Sequence, residues 1–281
     1  MILQDKITAT PEQIEYKLNK GVHVAELQLL PDDTIESVID TLAKYPTLKI
    51  NTVHTVSFES ENTINLNHLS KYNSLNRFYK ACLVANRLAG IQGTKVGVVL
   101  HNTFTAADYE SASILFNSIV STLKSTQLMY GGIYFLIENT EPLSADMRLR
   151  NGILADDTGV IVKRLTNAGV TNIGIMLDLK HLSETFKFFK QIKSDADFNK
   201  LTLKYWLKEY GSLIKNIHLS SDIDMEMLGD SYDNLNNSGS EILHKLKMLC
   251  EEYNPDVIWT ADLKESDLAS VEIQNILERL N

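Results

Sequence analysis

Six short segments of this 281-residue chain share one pattern: a strand-like, largely apolar run that ends in a histidine or a carboxylate. The end points are His54, His101, Glu138, Asp178, His218 and Asp262, spaced 37 to 47 residues apart. One strand with its crossover helix takes roughly 30 residues, more with insertions. The polar residue therefore recurs about once per βα unit, always at the same end. Side chains alternate across a strand, so the faces can be assigned by parity. Counting back from Glu138, Leu136 and Tyr134 share its face, while Ile137, Phe135 and Ile133 take the other. Opposite His101 stand Leu100, Val98 and Val96; opposite Asp262 stand Ala261, Trp259 and Val257. Apolar outer faces require a cover of helices, and the inner faces then end in the polar residues. A buried strand-end charge is costly unless paired. A metal ion or a substrate is its expected partner.

Two further strands precede these six, at 2–7 and 22–29. Helical patterns fill the gaps, at 33–45, 73–88, 106–123, 158–168, 181–192, 195–209, 242–253 and 268–280. Thr10-Pro11-Glu12-Gln13 reads as a capped helix start with proline at the first helical position. Eight strands alternating with helices, without a linker or low-complexity tract, predict a single-domain (β/α)8 TIM barrel over residues 1–281. In that architecture chemistry is built at the C-terminal strand ends, where the six residues fall. Residues 57–67 and 220–240 read as long polar loops, the second a candidate lid. Glu26, inside the second strand, is either an inward site residue that meets substrate or a salt-bridge partner. Arg148 and Arg150, in the loop after Glu138, either bind a phosphate or face solvent.

A formal charge of −9 argues against a broad basic surface and hence against a nucleic-acid partner. Cys82 and Cys250 lie in helical patterns without metal-motif spacing, as expected of reduced core thiols in a cytoplasmic protein. The amino terminus lacks the apolar core of a signal peptide and nothing resembles a membrane span. A homo-oligomer stays open. Three imidazoles and three carboxylates together suit zinc or manganese and suit calcium poorly, since calcium prefers oxygen ligands.

The runs Val53-His54, Leu100-His101, Ile137-Glu138-Asn139-Thr140, Leu177-Asp178-Leu179-Lys180-His181, Ile217-His218-Leu219 and Thr260-Ala261-Asp262, in this order, resemble the xylose-isomerase-like barrel superfamily. That group includes sugar and sugar-phosphate isomerases and epimerases and the family 2 apurinic/apyrimidinic endonucleases. In the isomerase branch the resemblance implies one manganese or similar ion on Glu138, Asp178, His218 and Asp262. Glu138 and Asp262 would then be the acid/base pair, and His181 and His54 would meet substrate. In the endonuclease branch it implies that His54 and His101 join Glu138 and Asp262 around a second zinc. A third zinc would use His181 and an Asp-x-His motif, whose nearest counterpart here, Asp230-Ser231-Tyr232, has tyrosine in the histidine position. The last carboxylate is commonly Glu in that group, and Asp262 is one methylene shorter. The implied activity is a metal-dependent sugar or sugar-phosphate isomerase or epimerase, working by proton transfer through a metal-stabilised enediolate. The alternatives are a zinc-dependent phosphodiesterase and a non-catalytic binding barrel.

Overall fold

The computed structural model describes residues 2–54, 66, 69, 72–102, 109–140, 155–191, 198–220, 223–229, 239–261, 273 and 275. Eight parallel strands close on themselves in sequence order: β1 (Ile2–Thr8), β2 (Val24–Gln28), β3 (Lys49–His54), β4 (Val96–His101), β5 (Ile133–Glu138), β6 (Ile173–Asp178), β7 (Ile214–Leu219) and β8 (Ile258–Ala261). The helices α1 (Pro11–Asn19), α2 (Ile35–Leu42), α3 (Tyr72–Gln92), α4 (Tyr109–Met129), α5 (Ala155–Asn167), α6 (Leu179–Gln191), α7 (Leu203–Tyr210) and α8 (Gly239–Tyr253) follow as crossovers. The expected (β/α)8 barrel is the observed fold. Among the described residues no helix is long and apolar enough to cross a membrane.

The main core lies between the barrel and its helices. Ile133, Phe135 and Ile137 of β5, Val96, Val98 and Leu100 of β4, and Trp259 of β8 are buried there with Phe78 of α3 and Trp206 of α7. Inside the barrel a separate small cluster of Val99, Leu136 and Met176 packs with Tyr134. Strand parity thus divides the apolar residues as the sequence predicts. Gly97 points inward beside this cluster: a Cβ there would stand 2.9 Å from both Thr52 Cγ2 and Tyr134 Cζ. Its missing side chain leaves room for both.

Several boundaries differ from expectation. The expected helix over 195–209 is a 3-10 turn, Phe198–Leu201, followed by α7, because Thr202 starts the chain afresh as a cap whose Oγ1 accepts from Tyr205 N at 3.2 Å. Thr10 does not cap α1 through its side chain. Its hydroxyl pairs with Thr8 Oγ1 at 3.0 Å, and Gln13 Oε1 accepts from the Thr8 hydroxyl at 2.6 Å. α3 and α4 both run further than the apolar spacing suggests, to Gln92 and Met129. Within 220–240, Met225–Leu228 forms a 3-10 turn. The remainder of the expected lid at 221–222 and 230–238 lies outside the described residues, as do 55–65 and, apart from Ile273 and Asn275, the last expected helix. Cys82 and Cys250 are free and buried, as expected.

Candidate metal centre

The strands β3 to β7 deliver five of the six predicted residues to one point inside the C-terminal end of the barrel. Adjacent strands match them in register: His101 pairs with Glu138, and Asp178 with His218. Asp262, Arg148 and Arg150 lie outside the described residues.

Glu138 is the hub. Its Oε2 stands 3.1 Å from His54 Nε2 and 3.0 Å from His101 Nε2. Its Oε1 stands 3.3 Å from His218 Nδ1, which is in turn 3.4 Å from Asp178 Oδ2. The two carboxylate oxygens therefore face two different sets of donors. Each set, His54–His101–Glu138 and Glu138–Asp178–His218, has its ligand atoms within 4.8 Å of one another. Ligand bonds of about 2.0–2.2 Å hold neighbouring donors of one ion roughly 2.8–3.6 Å apart. The four spacings quoted fall in that range, and an imidazole–carboxylate donor mixture suits zinc or manganese. The residues present fit a divalent metal.

Electrostatics agree with a ligand role. Burial pushes the His101 imidazole down to about 4, with the Glu138 charge opposing it, so at neutral pH its ring is uncharged and can offer a lone pair. Burial would raise the Glu138 carboxyl, but His101 and His54 hold it well below the ordinary range. Asp178 is lowered likewise by His181 and His218 against its own desolvation. His218 is raised far above an ordinary histidine: burial disfavours its charge, and Glu26, Asp178 and Glu138 outweigh that. Two anionic carboxylates facing His218 Nδ1 would attract a cation at that point, whether a proton or a metal ion.

His181 occupies the first turn of α6. Its backbone N–H donates to Asp178 Oδ1 at 2.9 Å, and its Nε2 lies 3.9 Å from Asp178 Oδ2. Its side chain is 19% exposed, against 1–2% for His54, Glu138 and His218, which makes it the most accessible of the described residues of the site. Asn139 clamps the strand ends: its Oδ1 accepts from Asp178 N at 2.7 Å, and its Nδ2 donates to Asp178 O at 3.0 Å. Glu26, a candidate for substrate contact, is fully buried one layer deeper. Its Oε1 is 3.0 Å and its Oε2 3.2 Å from His218 Nε2. Burial raises its carboxyl, yet His218 and His54 bring it down to about 2.

A polar network below these residues was not anticipated. Gln4 Nε2 donates to Thr260 Oγ1 at 2.7 Å and to Thr52 Oγ1 at 3.3 Å. Thr52 Oγ1 donates to Glu26 Oε2 at 2.8 Å, and Thr260 Oγ1 to Asn216 Oδ1 at 2.9 Å. The readable signal was parity: Thr52 and Asn216 stand two residues before His54 and His218 on the same inward faces, and Thr260 two residues before Asp262 in the sequence.

No protein-family model matches the sequence, nor does any curated protein sequence. Solved structures do share the fold. A D-tagatose 3-epimerase-like protein superposes with a TM-score of 0.61 at 17% identity, covering 99% of this chain and 96% of that one. A family 2 AP endonuclease from Brucella melitensis gives 0.61 at 11% identity, over 97% and 96%. A xylose isomerase domain protein from Planctomyces limnophilus gives 0.61 at 12% identity, over 99% and 95%. These solved structures share the (β/α)8 barrel fold with this chain.

Proposed function

We propose that this chain is a divalent-metal phosphodiesterase whose centre would take two ions sharing Glu138 as a ligand, and that it hydrolyses a small phosphodiester. The observation that carries the reading is the division of Glu138: Oε2 faces His54 and His101, and Oε1 faces His218 and Asp178. A single-ion isomerase has no need for two imidazoles on the far oxygen.

His54, His101 and Glu138 would hold one ion, and Glu138, Asp178 and His218 the other, with Asp262, which follows β8 in the sequence, as a further candidate ligand. Zinc or manganese bound there would supply Lewis acidity towards the phosphoryl oxygens. His181, the most exposed of these side chains, would donate a hydrogen bond to substrate, its backbone anchored on Asp178. Arg148 is a candidate for the substrate phosphate. The buried floor around His54, Glu138 and His218 would exclude bulk water on that side. A formal charge of −9 favours a small substrate over duplex nucleic acid.

The second reading, a one-ion sugar isomerase or epimerase, is favoured by the Glu138–Asp178–His218 set, which suffices for one ion. The test is to load the purified protein with zinc or manganese and assay three substrates: bis(p-nitrophenyl) phosphate, an oligonucleotide with an abasic site, and a panel of aldoses, ketoses and their phosphates. Hydrolysis of the small phosphodiester, lost in both His101→Ala and Asp178→Ala, is the expected result. Sugar interconversion that survives His101→Ala would replace the phosphodiesterase with the isomerase.

A further inference from the structure

Glu26 is too deeply buried to meet substrate, and although its carboxylate also lies within 4.8 Å of ligand atoms of His54 and His218, it faces His218 from the ring nitrogen opposite the one that Glu138 and Asp178 face. It has no exposed surface and lies on β2, below and behind His218. Its two oxygens flank a single atom, His218 Nε2, at 3.0 and 3.2 Å. The other ring nitrogen of His218 faces Glu138 and Asp178. A neutral imidazole carries one N–H and one lone pair, and the hydrogen bond made by one nitrogen decides which is which.

The network beneath Glu26 leaves it only the acceptor role. The Gln4 amide donates to the hydroxyls of Thr52 and Thr260. Each hydroxyl, having accepted, passes its own proton on, Thr52 to Glu26 and Thr260 to Asn216. The donors all run outward from Gln4, so Glu26 receives a hydrogen bond from Thr52 and stands ready to receive another from His218. These residues come from β1, β2, β3, β7 and β8, five neighbouring strands of the closed barrel. The floor is thus tied into the wall that carries His218.

We propose that Glu26 is a positioning residue for the metal centre: by accepting the Nε2 proton of His218 it fixes the tautomer whose Nδ1 lone pair points at the ion shared with Glu138 and Asp178. The proposal rests on the reading of Glu138, Asp178 and His218 as ligands. It predicts that the ion on that side depends on Glu26 and that the ion held by His54 and His101 does not. Partners of metal-bound histidines are worth about 10–100-fold in metal affinity.

The test uses the full chain and zinc. Zinc affinity is measured by competition with a chromophoric chelator for wild type, Glu26→Leu and Glu26→Gln, and the ring nitrogens of His218 are examined by proton–nitrogen correlation in the zinc-loaded wild type. The expected result is a proton on Nε2 in the wild type, with a roughly 10–100-fold loss of affinity at one site in Glu26→Leu. A smaller loss is expected in Glu26→Gln, whose amide oxygen can still accept. The nitrogen measurement needs no variant, so a Glu26→Leu protein that fails to fold leaves the proposal open to refutation. Wild-type affinity in Glu26→Leu, or a His218 protonated on Nδ1 in the zinc form, overturns the role of Glu26 and leaves the metal centre standing. A wild type that binds no zinc overturns the metal centre and this proposal together.

Discussion

The two halves of the barrel interior are built from the same strand geometry and do different things. Beneath His101, Glu138 and Asp178, on β4 to β6, the next inward residues are Val99, Leu136 and Met176, an apolar plug against Tyr134. Beneath His54 and His218, and across β8, β1 and β2, the inward residues are Thr52, Asn216, Thr260, Gln4 and Glu26. Below its strand-end residues, one half offers only apolar packing, with the hydrogen bonds of Asn139 and His181 to Asp178 lying at the strand ends. The other supports its strand-end residues through directed hydrogen bonds that reach an imidazole. Burial is nearly complete on both sides, so the contrast is one of chemistry, and it separates what a substitution does to stability from what it does to the metal.

The largest effect should come from the apolar half. Leu136→Ala removes a fully buried side chain from a small cluster that has little freedom to collapse. We expect a loss of about 2–5 kcal/mol in denaturant unfolding, with metal content unchanged. A variant that unfolds normally but loses zinc would break the division between the halves. On the polar half, Thr52→Val deletes the hydroxyl between Gln4 and Glu26 with little change of volume. About 1–3 kcal/mol is expected, because a bond to a charged acceptor goes and a buried donor is left behind. Here zinc affinity should fall with stability, and unchanged affinity would show that the network supports only the fold.

The smallest effect is in pH dependence. Glu26 is lowered to about 2 from 4.5, so its contribution is present above 4.5 and lost as pH falls towards 2. His101, lowered from 6.5 to about 4 by burial, acts in the same sense: the fold prefers its neutral ring, and stability declines as pH drops from 6.5 through 4. His218, raised above 6.5, has the opposite sign: its contribution is complete below 6.5 and is lost as pH climbs through its folded value. Metal-free protein should therefore be most stable near pH 6.5 and weaken on both sides, as followed by thermal melts. Leu136→Ala should lower that curve without changing its shape, whereas Glu26→Gln should flatten its acid limb.

Much of this was legible in the sequence because β-structure has a period of two and a barrel has an inside. Parity placed Ile133, Phe135 and Ile137 outward and Leu136 inward with Glu138, and the recurrence of strand-end histidines and carboxylates pointed to the barrel and to the convergence of His54, His101, Glu138, Asp178 and His218. The register shifts were not legible: β3 slips against β2 between Ala25 and Glu26, and β7 against β6 between Ile175 and Met176. Such slips depend on how a closed sheet accommodates stagger, which no single strand encodes. The division of Glu138 between two donor sets was equally hidden, since spacing along the chain says nothing about which oxygen faces which ring. Thr202 shows a third kind of miss. Apolar spacing over 195–209 looked continuous, and one hydroxyl was enough to divide it. The polar floor could have been found by applying to Thr52, Asn216 and Thr260 the parity already applied to the ligands.

The central claim is that Glu138 bridges two ions, and bound-metal stoichiometry tests it most directly. Protein saturated with zinc, freed of excess metal and analysed by elemental spectrometry should carry two ions per chain, and His101→Ala, which strips one donor set, should carry one. A wild type that holds a single ion, retained in full by His101→Ala, would contradict the two-ion centre.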